Sequence, residues 1–141
     1  MKKVLFYAFL LPAFVGSMFS CSEAKTDVKQ LNGDWNVIEV KGEKVEAETL
    51  PQMSFDMNEN KLHGTTGCNL FNTTVEVDKE DVSALKIAQG ATTMMACPDM
   101  ELETKVLQSM DKVKAVKAGK SENEMLLVDQ DGNVLFVLAR K

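Results

Sequence analysis

The sequence predicts a mainly β domain of the α+β class, with an antiparallel sheet of seven or eight short strands that curls or closes and one α-helix. Three observations carry this prediction. Short apolar segments that alternate with polar residues recur along the chain, separated by turn residues. Only residues 99–113 show helical spacing instead. A long strand–helix–strand alternation is absent from the sequence, which argues against a doubly wound parallel fold.

The first 20 residues have the features of a bacterial lipoprotein signal peptide. Lys2 and Lys3 form a short basic region, and an apolar run from Val4 to Val15 follows. The sequence Met18-Phe19-Ser20-Cys21 then resembles a lipobox, where a peptidase cuts before the cysteine and the thiol receives lipid. We therefore expect Cys21 to begin the mature chain and to carry palmitate-like acyl chains that anchor it to a membrane.

This segment has two other interpretations. An uncleaved membrane helix is disfavoured because the apolar run is shorter than the about 20 residues that span a bilayer, and Pro12 interrupts it. Plain secretion would leave Cys21 unlipidated in the mature chain. Because Cys21 directly follows the apolar run, lipidation is the stronger interpretation. It predicts a cell-envelope protein, at the outer membrane, its periplasmic face or the cell surface.

The charge balance narrows the range of partners. The chain carries 16 basic and 21 acidic residues, a net charge of −5. Signal-peptide cleavage would remove two lysines and no acidic residue, and the single arginine, Arg140, lies next to the C-terminus. Nucleic-acid binding requires clustered lysine and arginine, so this acidic chain is not expected to bind nucleic acid.

The first half of the predicted domain consists of strands. Residues 21–29 are polar and predict a tether, which places the folded domain at residues 30–141. In the first strand, Trp35, Val37 and Glu39 share a face. The turn at residues 58–61 predicts a hairpin. The predicted strands, each supported by apolar alternation, are residues 34–41, 51–57, 62–66, 71–77 and 84–88.

A helix and three further strands complete the prediction. Leu102, Val106, Met110 and Val113 form one helical stripe over residues 99–113, with Asp99 as the N-terminal cap. Acidic residues in the first turn complement the helix dipole. The strands that follow are predicted at residues 113–118, 124–129 and 134–140, the last two joined by an Asp-Gly turn that is typical of hairpins.

Cys68 and Cys97 are the remaining cysteines once Cys21 is lipidated. An exported chain meets an oxidising compartment, where two thiols most simply form a disulfide. The chain-entropy model gives roughly 3.5 kcal/mol for closing a loop of about 30 residues, a sizeable share of a typical domain stability. The bridge would tie a turn between strands to the segment that precedes the helix.

Other uses of these cysteines need additional residues. A zinc site usually needs at least three protein ligands, and His63 is the only histidine that could join the two cysteines. A cysteine–histidine nucleophile pair would need the same His63. The nine methionines invite a copper site, but several lie on predicted apolar faces, which favours core filling. We therefore expect no catalytic residue, no metal site and no cofactor.

Four motifs in order resemble the META domain family, the HslJ-like bacterial lipoproteins. They are GDW near the start of the domain, HGTTGCNLF, TTMMACPDMELE and MLLVDQDGNVLFV. The resemblance spans about residues 30–139. It implies a small antiparallel β-barrel-like fold with one helix packed across it, a recurrent cysteine pair matching Cys68 and Cys97, and exported proteins linked to envelope stress. It implies no catalytic mechanism.

These observations favour a non-enzymatic envelope lipoprotein that binds a protein partner or serves a stress response. The turns around Thr65, Thr66, Asn69 and Phe71 are expected to be exposed and are the candidate binding loop. A barrel that binds a small molecule or lipid is one alternative, although few aromatic residues disfavour a large cavity. Inhibition of a secreted hydrolase is another.

Overall fold

The structure is a computed structural model that describes residues 25–141. The predicted signal peptide, the lipidation site Cys21 and most of the tether lie outside the described residues. Val28 is already buried in the core, so the packed part of the chain begins two residues before the predicted boundary. Within residues 25–141, no helix combines the length and apolar character needed to cross a membrane.

Ten strands and two helical segments make up the described chain. A 3-10 helix, Val28–Leu31, precedes the strands, and the α-helix α1 is Met100–Met110. The strands are β1 Gly33–Val40, β2 Glu43–Lys44, β3 Gln52–Asp56, β4 Lys61–Thr65, β5 Leu70–Val77, β6 Leu85–Ile87, β7 Ala91–Thr92, β8 Ala115–Ala118, β9 Glu124–Val128 and β10 Val134–Arg140. Eight of them match the predicted strands; the two-residue strands β2 and β7 were not predicted.

The strands form one antiparallel sheet that is nearly closed into a barrel. Eight of them follow the order β6-β5-β4-β3-β1-β10-β9-β8, while β2 pairs with β1 and β7 pairs with β5. The two edge strands approach each other where Leu85 N donates to Lys114 O at 3.0 Å and Val116 N donates to Ser83 O at 2.9 Å. This arrangement confirms the predicted fold class of an antiparallel sheet that curls or closes. A nearly closed sheet leaves little unpaired edge.

The barrel interior is filled by apolar side chains that form one continuous core. Trp35, Met53 and Phe136 are among the largest fully buried residues. Along β5 the inward alternation is confirmed for Phe71, Thr73 and Val75, whereas Val77, the last residue of the strand, is exposed. Helix α1 adds Val106 and Met110 to the same core.

Two local predictions were wrong in detail. The helix stops at Met110 rather than Val113, although Val113 is buried as its position in the stripe predicted. In β1 the pairing register with β10 shifts between Val37 and Glu39. Such a bulge interrupts the period-two alternation, so Val40 is buried and Glu39 does not continue the inward face.

The strands give the barrel two distinct ends. At the tether end, Val28 N donates to Val82 O at 2.8 Å and Lys25 pairs with Asp81 at 3.1 Å. The other end, which we call the disulfide end, contains the β4–β5 loop and the segment between β7 and α1. β5 runs from Leu70 at the disulfide end towards the tether end, which separates the two by about 23 Å at a rise of about 3.3 Å per residue.

Candidate functional site

The disulfide end brings together the two cysteines that the sequence pairs. Their sulfur atoms lie 2.07 Å apart and their Cα atoms 5.9 Å apart, the spacing of a disulfide. Cys68 lies in the loop between β4 and β5, and Cys97 lies in the segment that leads from β7 into α1. The bridge therefore connects a sheet turn to the start of the helix, as the sequence predicted.

Asn69 holds the same two segments together through its side-chain amide. Its Oδ1 accepts from Met95 N at 2.8 Å and from Thr93 Oγ1 at 2.9 Å. Its Nδ2 donates to Met95 O at 3.2 Å, to Cys97 Sγ at 3.3 Å and to Glu103 Oε1 at 2.5 Å. Because Asn69 is buried, these bonds cannot be replaced by water without rearrangement, and the loop is fixed by side chains as well as by the bridge.

Glu103 is a buried carboxylate that the sequence analysis missed as a site residue. Its exposed fraction is 6%, and its Oε1 accepts from Thr66 Oγ1 at 3.2 Å and from Asn69. The sequence placed Glu103 in the first helical turn as a favourable charge. The available signal was its spacing from Val106 and Met110, three and seven residues, which assigns it to the buried face of α1.

The second oxygen of Glu103, Oε2, differs from Oε1 in its hydrogen bonding. Within residues 25–141, no protein group donates a hydrogen bond to it, whereas every solvent-inaccessible side-chain nitrogen or oxygen there has a partner. Oε2 is therefore reached by solvent. Glu103 also lines a cavity beside the disulfide.

The cavity has a volume of about 280 Å³ and a strongly asymmetric lining. Carboxylates come from Glu48, Asp99 and Glu103, and no basic side chain lines it. Asp99 also caps α1, because its Oδ1 accepts from Leu102 N at 2.9 Å. Apolar wall atoms come from residues that include Ala47 and Leu102.

The predicted binding-loop residues are mostly not exposed. Thr66, Asn69 and Phe71 are buried and Thr65 is half-buried, so the expectation that these side chains present themselves to a partner was wrong. The reason is that they serve the fold: Thr66 and Asn69 belong to the Glu103 network, and Phe71 belongs to the core. Thr65 Oγ1 accepts a hydrogen bond from the backbone N of Gly67 at 3.1 Å.

Four exposed apolar side chains belong to the segments that form this buried network or directly adjoin it in the chain, and we call them the apolar rim. They are Leu70, Met94, Met95 and Met100. Met94 is 94% exposed, although its neighbours in the chain are fixed by Asn69. Leu70 is held beside them, since Leu70 N donates to Thr93 Oγ1 at 2.9 Å. The prediction from the sequence that the methionines fill the core is wrong for Met94 and Met95.

A further contact fastens the helix at this end. Lys105 Nζ lies 2.8 Å from Glu43 Oε2 and joins α1 to β2. The hydrogen bond from Lys105, followed by the attraction between the charges, lowers the pKa of Glu43. The side chain of Glu43 is 74% exposed and that of Lys105 is 25% exposed, so solvent screens the pair and it contributes little to stability.

His63 and the cysteines do not form a shared chemical site in the described residues. His63 is exposed on β4, while Cys68 and Cys97 are joined to each other. Among residues 25–141, no group of three or more histidine, cysteine, aspartate or glutamate side chains is placed to hold a metal ion. The chemistry available at the disulfide end is thus that of a buried carboxylate, a small cavity and an apolar rim.

Comparison with known proteins addresses the family and the fold. An NMR structure of a protein from Burkholderia xenovorans is similar, with a TM-score of 0.61 and 14% identity, covering 100% of this chain and 99% of that one. A crystal structure of a duf4847 family protein from Bacteroides vulgatus ATCC 8482 has a TM-score of 0.58 and 12% identity, covering 79% of this chain and 94% of that one. These identities show a shared fold alone.

The sequence has no match among curated proteins. The META domain model matches residues 27–141, and the chain therefore belongs to the META domain family.

Proposed function

We propose that this chain is a lipid-anchored, non-enzymatic module of the cell envelope that binds a protein partner through its disulfide end. The observation that carries the proposal is the apolar rim. Its four side chains lie at the barrel end opposite the point where the N-terminal segment is fixed. A lipid anchor at Cys21 would hold the tether end towards the membrane and turn the rim away from it.

The rim has the character of a recognition surface rather than of a loosely folded loop. Apolar side chains that are exposed together on a soluble domain commonly mark a protein contact. Methionine adapts its shape to a partner, and leucine adds a branched apolar contact. The disulfide and the Asn69 hydrogen bonds hold the backbone beneath them, so less conformational entropy would be lost on binding.

The arrangement of reactive groups supports a non-enzymatic role. Cys68 and Cys97 are joined, and a bonded sulfur cannot act as a thiolate nucleophile. His63 lies on the exposed face of β4, and its neighbour Leu62 is buried in the core. A protein-binding module of this kind includes an inhibitor of a secreted hydrolase and a stress-response adaptor as special cases.

Ligand binding inside the barrel is the weaker alternative. The interior is occupied by large side chains such as Trp35 and Phe136. A small molecule would therefore have to bind outside the barrel interior, for example in the cavity lined by Glu103.

Site-specific photo-crosslinking in cells tests the proposed partner contact. A photoreactive amino acid replaces Met94 or Met95, and the matched control carries it at Val82, which is 48% exposed but lies at the tether end. We expect the same discrete protein adduct from both rim positions and none from Val82. Adding the substitution Leu70→Asp should strongly reduce that adduct. An identical adduct from Val82, or no adduct from the rim, would overturn the proposal.

Metabolic labelling with a radioactive fatty acid tests the anchor separately. The wild-type protein should be labelled and should fractionate with membranes, while Cys21→Ser should lose both properties. Label retained in Cys21→Ser would show that Cys21 is not the lipidated residue.

A further inference from the structure

We propose that the cavity beside the disulfide binds an aliphatic ammonium group, which contacts Glu103 Oε2. This inference goes beyond the proposed function, because a free alkylamine would bind whether or not the apolar rim contacts a protein. It rests on three features of the cavity: the state of the Glu103 carboxylate, the charges around it and its size.

The carboxylate of Glu103 is half satisfied by the protein. Its Oε1 accepts from Thr66 and Asn69, whereas Oε2 receives no hydrogen bond from residues 25–141 and is reached by solvent. The residue as a whole is 94% buried, since its exposed fraction is 6%. A carboxylate removed from most of its water gains strongly from a charge-assisted hydrogen bond, so Oε2 is the natural acceptor for a donor that enters the cavity.

The surrounding charges select a cation. Glu48 and Asp99 add two further carboxylates, and no lysine or arginine lines the cavity to neutralise them. An anionic ligand would meet repulsion from all three groups. A metal ion is disfavoured because these carboxylates are not placed to coordinate one ion together.

The geometry favours an ammonium over a guanidinium group. A guanidinium binds a carboxylate best with two parallel bonds to both oxygens, but Oε1 is already occupied by two donors. A compact ammonium needs only Oε2 and can direct its other protons towards neighbouring oxygens. The apolar wall formed in part by Ala47 and Leu102 suits the methylene stem behind such a head group.

The size of the cavity limits the ligand to a short chain. Pockets for drug-sized molecules begin near about 300 Å³, and this cavity has about 280 Å³. It fits one unbranched aliphatic amine. Such a group has two sources, a free diamine or the side chain of a lysine in a partner protein.

An NMR titration of the purified protein with 1,5-diaminopentane tests the inference. We expect saturating shifts of the backbone amides of Thr66, Gly67 and Leu102, and no such shifts with 1-pentanol, which lacks the charge. The probe for a guanidinium is 4-aminobutylguanidine with its amine acetylated, which carries a guanidinium but no ammonium group. It should bind at least tenfold more weakly than the diamine. No saturable shift at these amides, or equal binding of the alcohol, overturns the inference.

Two variants in α1 distinguish the effect of the Glu103 carboxylate from a general effect of negative charge on amine binding. In Glu103→Gln the amide oxygen can still accept from Thr66 and Asn69, so the fold is retained while the charge in the cavity is lost. We expect binding at least tenfold weaker than wild type. Glu101→Gln removes an exposed carboxylate from the same helix outside this cavity and should leave binding unchanged. Equal losses in both variants would overturn the site.

Two further experiments cover the case that Glu103→Gln does not fold and identify the source of the ammonium group. If Glu103→Gln does not fold, Leu102→Trp fills the cavity wall from a half-buried position and should abolish diamine binding; unchanged binding there contradicts the proposal. An acetyl-Gly-Lys-Gly-amide peptide that binds as tightly as the diamine identifies a protein lysine as the source. A peptide that binds at least tenfold more weakly identifies a free amine.

Discussion

The two ends of the barrel are secured by different kinds of interaction. At the tether end, the Arg140 guanidinium lies 4.0 Å from the centre of the Trp35 ring, and its Nη1 donates to Asn32 O at 2.9 Å. Trp35 Nε1 donates to Leu31 O at 2.7 Å. At the disulfide end, a covalent bridge and the buried side chain of Asn69 perform the same task.

The difference determines what each end leaves exposed. At the tether end, long side chains reach back to main-chain carbonyls and cover the joint, and Trp35 is fully buried. At the disulfide end, the connecting groups lie beneath the loops, so Met94 and Met95 are left on the outside. An end secured from within can present apolar side chains without losing its shape, which is what a binding surface requires.

The largest effect is expected from removing the bridge. With a sequence separation of 29 residues, the double substitution Cys68→Ala/Cys97→Ala should lower the free energy of unfolding by about 3.5 kcal/mol, because the unfolded chain regains loop entropy. Urea unfolding of both proteins, with and without a reductant, measures the loss. The reductant should destabilise wild type and leave the variant unchanged.

The same experiment contains the outcome that contradicts it. If wild type unfolds at the same urea concentration with and without reductant, while a thiol assay shows that the bridge was reduced, the disulfide does not secure this end. The comparison between the ends would then rest on the Asn69 hydrogen bonds alone.

A smaller loss is expected from Asn69→Ala. The substitution leaves the main chain of Met95 without its side-chain partner and Glu103 Oε1 with Thr66 as its one remaining donor among the described residues, and we expect a loss of about 2 kcal/mol. Asn72→Ala, three residues later in β5 and exposed, is the matched control and should change stability by less than about 0.5 kcal/mol.

Hydrogen exchange locates the effect of Asn69→Ala. The amide of Met95 should lose protection, while that of Val28 at the tether end should keep it. Equal loss of protection at both ends would mean that the ends are not independent.

The sequence predicted the strands because their apolar alternation survives in the fold. Met53 and Phe55 in β3 are both buried as predicted. The pairing of Cys68 with Cys97 followed from the number of thiols and the expected compartment, and it needed no geometry. Two-residue strands such as β2 escaped prediction, because two residues cannot show a period.

The candidate site was harder to predict because it depends on contacts between distant segments. Asn69 and Glu103 are 34 residues apart, and nothing in either local sequence states that they meet. Turn residues were assigned to the surface by their polarity, but Thr66 and Asn69 are buried with their hydrogen bonds satisfied inside. Met94 and Met95 were assigned to the core by their apolar character, and the bridge beside them holds them outside.

The smallest effect is expected from carboxylates near the surface that are stabilised in their charged form, and we compare one from each end. Hydrogen bonds from the Ser83 hydroxyl and backbone, followed by that from Lys25, lower the pKa of Asp81 at the tether end. The hydrogen bond from Lys105 lowers the pKa of Glu43 at the disulfide end. A lowered folded-state pKa contributes stability that is fully present above the unfolded pKa and is lost as the pH falls through the folded pKa.

For Asp81→Asn and Glu43→Gln, we therefore expect a slightly reduced stability near neutral pH and a difference from wild type that vanishes in acid. The unfolded pKa values lie near about 4, so urea unfolding from about pH 7 down to about pH 3 covers most of the transition. Both effects should be small and similar, since the carboxylates of Asp81 and Glu43 are accessible to solvent, which screens both pairs. Lys61→Gln, which removes the exposed Lys61–Glu59 pair next to the β3–β4 turn, is the control. A large loss of stability for only one of the two variants would contradict this expectation. It would mean that surface charge contributes to the difference between the ends, in addition to the disulfide and the side chains buried beneath the rim.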